Sequence, residues 1–480
     1  MLDFGGDSGL PPPPVLTEEE EKRLYRKLDW RLMPILSLMY LFSFLDRGNA
    51  RLDGLETQLN LINNQYNIAL TILVLKKFRP SRWLPGITIL WGTIMTLMGL
   101  VKTYPQLVGV RTCLGVAEAG LFPGVVYYLT LWYPRQMLQF RIGLFFGAAS
   151  LAGAFSGLLA FGISFMDGVG GLEAWSWIFI LEGIATVLVG VLALLVLVDF
   201  PATAKFLTPE EKAYVIWKKS AFFVLRILPG WFAEYDNSSV GEEERFALRH
   251  LWAALTDWQV WLHILVYISV VGPLYGISLF LPSTFGHSTA ISQLLTVPPY
   301  VFATITLLTF AILSDRTGKR SPFIVLGLIM LLIGFSINIS DTKAGVKYFG
   351  TFFCVAGAYA TFPGVVSWLG NNLSGQYKRG VGMALHIGIG NFAGAIASNV
   401  YRTQDSPRYI IGHGIMLMFV GIGFIFVPIV VLLYVRINAQ RARIMQASPE
   451  GGEDGGWRAK YTDKELRKMG DRAVDFRYMI

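Results

Sequence analysis

Arg111 and Glu118 stand seven residues apart in an apolar stretch, two helical turns, so both project from one face if the stretch is helical. A guanidinium can grip a carboxylate with two parallel hydrogen bonds. A carboxylate taken out of water binds a proton more readily. The pair therefore offers anion recognition beside a protonatable switch, or, more plainly, a structural pair holding two helices together. Asp46 and Arg47 close the first apolar run, followed by Asn49 and Arg51, where a solvated helix end is the plain reading and, for Arg51, the preferred one. Glu182 lies seven residues into its own run, where an unpaired carboxylate is expensive; it can bond a neighbouring helix or take part in proton coupling. His386 can titrate near physiological pH, or simply pack. Asn391, beside Gly390, is a candidate cavity-lining amide, and Tyr275, after Gly272-Pro273, can hydrogen-bond a solute or pack. Asp315, Arg316 and Arg320, with Arg141, read as clamp charges that gate rather than touch a solute.

The elements that position these residues follow from composition. Of 480 residues, 53% are hydrophobic and only 15% charged, with a mean hydropathy of +0.49. A soluble domain carries about a quarter charged residues, so an ordinary cytosolic enzyme, a disordered regulator and a fibrous protein are excluded. Cys113 and Cys354 both lie in apolar runs and frame no disulfide scaffold. The pI near 9.3 does not point to nucleic acid, because the basic residues sit in short clusters between apolar runs. Runs of about 17–25 apolar residues cross a bilayer as helices. They fall at 31–50, 84–101, 105–131, 142–165, 175–199, 258–281, 291–313, 322–340, 348–369, 380–401 and 411–435, eleven spans in all. No Cys/His pair at ligand spacing, P-loop or HExxH occurs, so no metal or nucleotide cofactor is expected.

Orientation follows from Lys and Arg in the loops. Lys76, Lys77, Arg79 and Arg82, then Arg135, then Arg316, Lys319 and Arg320, then Lys378 and Arg379 mark alternate loops, whereas Asp167–Glu173 and the loop around His287 carry none. The basic loops, the long loop 200–257 and both termini are expected in the cytosol. The sequons at Asn237 and Asn372 fall in loops on that side and should stay unglycosylated. Pro11–Pro14 and an acidic run do not read as a signal peptide, and Thr17 with Glu20 reads as a capping box opening a short surface helix. The basic N-terminal stretch and Lys76–Arg82 both read as cytosolic, so an even number of crossings must separate them. Only the first run and the stub Ile68–Leu75 are available, and eight helical residues cover about 12 Å of a core of about 30 Å.

The chain also repeats itself. Phe122-Pro123-Gly124-Val125-Val126 recurs as Phe362-Pro363-Gly364-Val365-Val366, an offset of 240, and basic residues follow each copy, Arg141 in one and Lys378 with Arg379 in the other. Small residues spaced four apart come next, Gly143/Gly147 and Gly153/Gly157, then Gly390/Gly394, a spacing that lets membrane helices approach closely. Two parallel six-span halves account for this. Asp257 precedes Asp315 by 58 residues while Asp29 precedes Leu75 by only 46, which places the shortfall in the first hairpin. The expected layout is a segment 1–30, an N-terminal transmembrane half 31–200, a central loop 201–257, a C-terminal half 258–436 and a tail 437–480.

Ser-Phe-Leu-Asp-Arg (43–47), Gly-Asn-Ala-Arg (48–51), Gln-Tyr-Asn (65–67), Arg-Pro-Ser-Arg-Trp-Leu-Pro (79–85), Glu-Ala-Gly-Leu-Phe-Pro-Gly (118–124), Phe-Ile-Leu-Glu-Gly (179–183) and Gly-Asn-Phe-Ala-Gly (390–394) resemble the fungal allantoate permease family. That family belongs to the anion:cation symporters of the major facilitator superfamily, whose cytosolic-loop signature Ser-Asp-Arg-x-Gly-x-Arg (314–320) resembles. The resemblance spans about residues 24 to 436. It implies an all-α membrane bundle of two six-helix halves, here with the second helix truncated to a stub. It also implies alternating access and import of a small organic anion such as allantoate, ureidosuccinate, nicotinate, pantothenate or biotin with protons, with the proton gradient as driving force. A monomer in the plasma membrane is expected, with Asp46 and Arg47 moved toward gating or proton coupling. The chain departs from the pattern between Arg47 and Gly48, in the second span, and in the apolar insert 220–234. Such defects fit either a divergent chain or mis-joined exons, and a non-transporting nutrient sensor on the same scaffold, or a defective copy, is the alternative function.

Overall fold

The computed structural model describes residues 14, 16–49, 79–118, 120–134, 137–220, 248–280, 289–401, 403–405, 408–447 and 469–480. The stub 68–75, Arg51, Asn237 and all but the first residue of the 220–234 insert lie outside the described residues. Among the described residues, each of the eleven apolar runs lies mostly on helix. Helix α1, Glu18–Asn49, opens with the expected capping box: the Thr17 amide donates to Glu20 Oε2 at 2.8 Å and the Glu20 amide to Thr17 Oγ1 at 3.4 Å. The surface turn and the first span form one uninterrupted helix, with four glutamates in its first turn complementing the helix dipole. Then follow α2 Pro80–Met98, α3 Tyr104–Glu118, α4 Leu121–Trp132, α5 Leu138–Ser164 and α6 Ala174–Val196. The central loop contributes α7 Pro209–Ser220 and α8 Leu248–Leu255. The chain continues with α9 Trp258–Phe280, α10 Thr289–Thr317, α11 Ser321–Ile339, α12 Ala344–Asn372, α13 Gln376–Gly390, α14 Phe392–Val400 and α15 Ile410–Ala447. Among the described residues, nine helical stretches are long and apolar enough to cross a membrane.

Pro105–Trp132 and Lys378–Val400 each run as one candidate crossing. In the second the helix is locally tightened at Asn391, whose amide bonds Ile387 O at 3.0 Å while Gly394 N bonds Asn391 O at 2.9 Å. The Asn372 sequon is not in a loop. Asn372 ends α12, is fully buried, and has its amide engaged by Met479.

Small residues set the closest helix pairs, since lipid gives helices no hydrophobic reason to associate and close van der Waals packing must supply it. A Cβ on Gly183 of α6 would stand 2.6 Å from the Thr96 amide and 2.8 Å from Gly92 O of α2. Both obstacles are backbone, so Gly183→Val must force the helices apart. A loss of about 1–3 kcal/mol or more is expected, seen as a lower unfolding temperature of purified protein; an unchanged melt would sink the packing argument. The stripes at Gly143 and Gly153 face α10, with a Cβ meeting Ala311 at 3.0 Å and the Tyr300 ring at 2.8 Å, and Gly394 lies under the Tyr275 ring. The surroundings of Gly157 lie outside the described residues.

Ion pairs occupy matching places in the two halves. Arg141 forks onto Asp29, Nε to Oδ1 at 3.0 Å and Nη2 to Oδ2 at 2.8 Å, and lies 4.6 Å over the Tyr133 ring. Lys378 pairs with Asp257. In each half the acid stands just before the half's first apolar run and the base follows its Phe-Pro-Gly copy. We refer to the end of the bundle carrying these pairs as the basic end. There, α7 is tied to α1 by Lys27–Glu211 and Lys218–Glu21, both at 2.8 Å.

Candidate functional site

Between the halves lies a partly open cavity of about 80 Å³. Its walls are largely aromatic: Tyr40 and Phe44 of α1, Phe122 of α4, Phe146 of α5, Tyr267 and Tyr275 of α9, and Phe362 of α12. The phenylalanines of the two Phe-Pro-Gly copies meet there, their ring centroids 5.6 Å apart, and Phe146 stacks on Phe362 at 4.2 Å. The sequence showed the copies, and nothing in it showed that they touch across the pseudo-twofold.

Polar groups enter this apolar wall from both halves. Glu118, the last residue of α3, lines the cavity half-buried, and Ser43 Oγ donates to its Oε1 at 2.9 Å. On the opposite half Asn391 lines the cavity at the α13–α14 junction, its Oδ1 accepting from Tyr267 OH at 3.3 Å. Tyr275 is also in the wall. Among the described residues, Glu118 is the acidic member of the lining and no basic side chain joins it.

The other candidates lie elsewhere. Arg111 is half-buried on α3, outside the described lining, and its Nε and Nη2 are buried with no hydrogen-bond partner among the described residues. The seven-residue spacing puts it about 10 Å along the helix from Glu118, so the two do not form one compact site. Glu182 is buried on α6, the helix packed on α2, away from the cavity lining. His386 is fully buried one layer behind the wall: its Nε2 donates to His263 O at 3.0 Å and its ring stands 4.7 Å from that of Tyr267. From His263 a buried polar chain continues through Tyr434 OH, 3.0 Å away, to Gln259 Oε1 at 3.0 Å. Asp46 and Arg47 lie in the last turn of α1, their side chains outside the described residues.

Of the charges Asp315, Arg316, Arg320 and Arg141, Asp315 reaches the other half at the basic end. Asp315 Oδ2 accepts from the Phe140 amide at the start of α5 at 2.8 Å, while Oδ1 pairs with Arg320 Nη1 at 2.6 Å. Arg320 Nη1 also bonds Ser314 Oγ at 3.0 Å, and Ser314 donates to Gln139 Oε1 at 2.8 Å. Arg316 is exposed. Gln139 was missed: an uncharged amide near a helix start carries no sequence signal, yet it meets Ser314 and also Ser367, at 3.5 Å. A second, small pocket of about 10 Å³ lies between the halves, lined by Val126, Thr130 and Ile142 on one side and Val366, Arg379 and Met383 on the other.

Helices grouped in two halves, a cavity between them and contacts closing one end describe a membrane carrier. The profile of the Major Facilitator Superfamily matches residues 69–398, and the chain belongs to that superfamily. It is thus a multi-pass membrane transporter and not an enzyme. It is 32% identical to the MFS-type transporter cnsO of Penicillium expansum, over 96% of this chain and 90% of the relative. It is 28% identical to the high-affinity nicotinic acid transporter of Saccharomyces cerevisiae, over 98% of this chain and 87% of that one. Its fold is similar to the crystal structure of the transporter FucP in the outward conformation, with a TM-score of 0.57 and 13% identity, covering 83% of this chain and 99% of the other.

Proposed function

We propose that the protein imports a small organic anion together with protons, as the resemblance to the allantoate permease family implies. The observation that carries the reading is Glu118, a carboxylate in the wall of the central cavity, held by Ser43. A titratable group there can exchange a proton with whichever side the cavity faces, which couples proton movement to alternating access. The half-buried guanidinium of Arg111, on the same helix, supplies the positive charge an anion needs on its route. Among candidate anions, the aromatic wall favours a flat ring such as nicotinate over the flexible allantoate, because ring faces stack with little loss of freedom. The relative named for nicotinic acid agrees with this choice. The protein acts as a monomer in the plasma membrane, with the basic end and both termini in the cytosol, and needs no cofactor beyond the proton gradient.

The test is uptake of radiolabelled nicotinate, and separately allantoate, by purified protein in liposomes with an acidic exterior. For one proton per monovalent anion, accumulation should approach about tenfold per pH unit and collapse with a protonophore. Saturable nicotinate binding without flux would instead assign the protein to the sensors.

A further inference from the structure

Residues 469–480 are expected from sequence to be an unremarkable part of the polar tail. In the structure they are seated in the basic end of the C-terminal half, and the seat is built to read a peptide. Two asparagines clamp consecutive backbone units: Asn438 Nδ2 donates to Tyr478 O at 2.8 Å while Oδ1 accepts from Tyr478 N at 2.9 Å, and Asn372 does the same with Met479 at 2.9 and 2.7 Å. Arg441 donates to Phe476 O and Asp471 O, both at 2.7 Å. The Arg320 amide donates to Ile480 O at 2.6 Å. Asp471, 1% exposed, receives Lys378 Nζ at 2.7 Å and Gln259 Nε2 at 2.9 Å. Burial pushes the Tyr478 phenol up to about 12, so it docks as the neutral hydroxyl.

The N-terminal half has a counterpart. Tyr128 OH donates to Val198 O, and the Ser81 amide at the start of α2 bonds Asp199 Oδ1 at 3.0 Å. With the 240-residue offset, Tyr128 corresponds to Trp368, whose Nε1 donates to Met479 O at 2.9 Å, and Ser81 falls next to Arg320. Each half is thus braced at matching helix positions by the chain that follows its last helix. The N-terminal brace begins within two residues of Val196, whereas α15 ends at Ala447 and the C-terminal brace begins at 469. One brace thus follows its helix directly, while 21 residues of sequence separate the other from Ala447.

We propose that residues 469–480 are a detachable strap, an intramolecular ligand of the C-terminal half whose seating keeps the basic end closed. The strap bonds Arg320, Trp368 and Asn372. Their neighbours Ser314, Asp315 and Ser367 hold Gln139 and Phe140 of the other half. Removing the strap leaves buried donors and the Arg441 guanidinium without their acceptors, which destabilises this closed arrangement relative to one in which the halves part.

Val126, 3% exposed in the pocket between the halves, reports closure without any transported solute. In a Cys113→Ser background, Val126→Cys is reacted with a charged maleimide in detergent. Labelling of a buried thiol follows the population of the open form. Shortening the chain to residue 468 should speed labelling about tenfold or more, an equilibrium shift of about 1.4 kcal/mol. A synthetic 469–480 peptide added in trans should restore the slow rate, and the same peptide carrying Asp471→Asn should not. Unchanged labelling of the shortened chain, or failure of the wild-type peptide to slow it, overturns the proposal. If the shortened chain aggregates, full-length Asn372→Ala/Asn438→Ala decides instead: faster labelling supports the strap and an unchanged rate overturns it. None of these readouts depends on which solute is carried.

Discussion

Replacing Glu118 with glutamine is expected to abolish gradient-driven accumulation while leaving solute exchange intact. Glutamine keeps the side-chain volume and a carbonyl that accepts the Ser43 hydroxyl, now 2.9 Å from Oε1, but it cannot gain or lose a proton. A carrier that no longer needs a proton to complete its cycle runs only downhill, so accumulation at a two-unit pH gradient should fall from about a hundredfold to none. Counterflow of labelled against unlabelled solute should persist, because the cavity and its aromatic wall are unchanged. The comparison separates coupling from folding, since an unfolded variant would lose both. Accumulation that survives Glu118→Gln would remove this residue from the coupling step and turn attention to Asp46, which lies beyond the same cavity-lining stretch of α1.

Charge and apolar runs made much of the bundle legible, because a charge inside a bilayer is expensive and is kept only where a partner or water compensates it. Arg141 and Lys378, matched in sequence through the Phe-Pro-Gly copies, form corresponding ion pairs with Asp29 and Asp257. Uncharged polar residues leave a weaker trace. Ser43 and Gln139 cost little to bury in a helix, so nothing in their surroundings distinguished them, yet one holds Glu118 and the other joins the halves. The local tightening at Asn391 was illegible for a related reason, because it sits in an apolar run whose hydropathy is the same whether or not the helix is regular. Spacing put Arg111 and Glu118 on one face two turns apart, and of the two only Glu118 is in the described cavity lining. The strap escaped for want of length: a dozen mixed residues have no period, and their seat is assembled from α9, α11, α12, α13 and α15.

Arg320→Met is the second large effect, and its size turns on which loss dominates. Methionine fills much of the arginine stem, so the packing loss is small. The electrostatic loss is not. Arg320 is fully buried and its Nη1 supports both Asp315, at 2.6 Å, and Ser314, at 3.0 Å. Taking one member from a buried pair costs about 3–5 kcal/mol, chiefly because the remaining charge is left uncompensated. Asp315 keeps 15% side-chain exposure and the Phe140 amide, which places the expectation near the low end, about 3 kcal/mol. Purified Arg320→Met should therefore unfold at a temperature several degrees lower and label faster at Val126→Cys. Adding Asp315→Asn removes the stranded carboxylate, so the double variant should regain most of the loss, a coupling of about 1–3 kcal/mol in a double-mutant cycle. Strictly additive single and double effects would mean that the two side chains do not act as a pair, and that Asp315 joins the halves through its Phe140 contact alone.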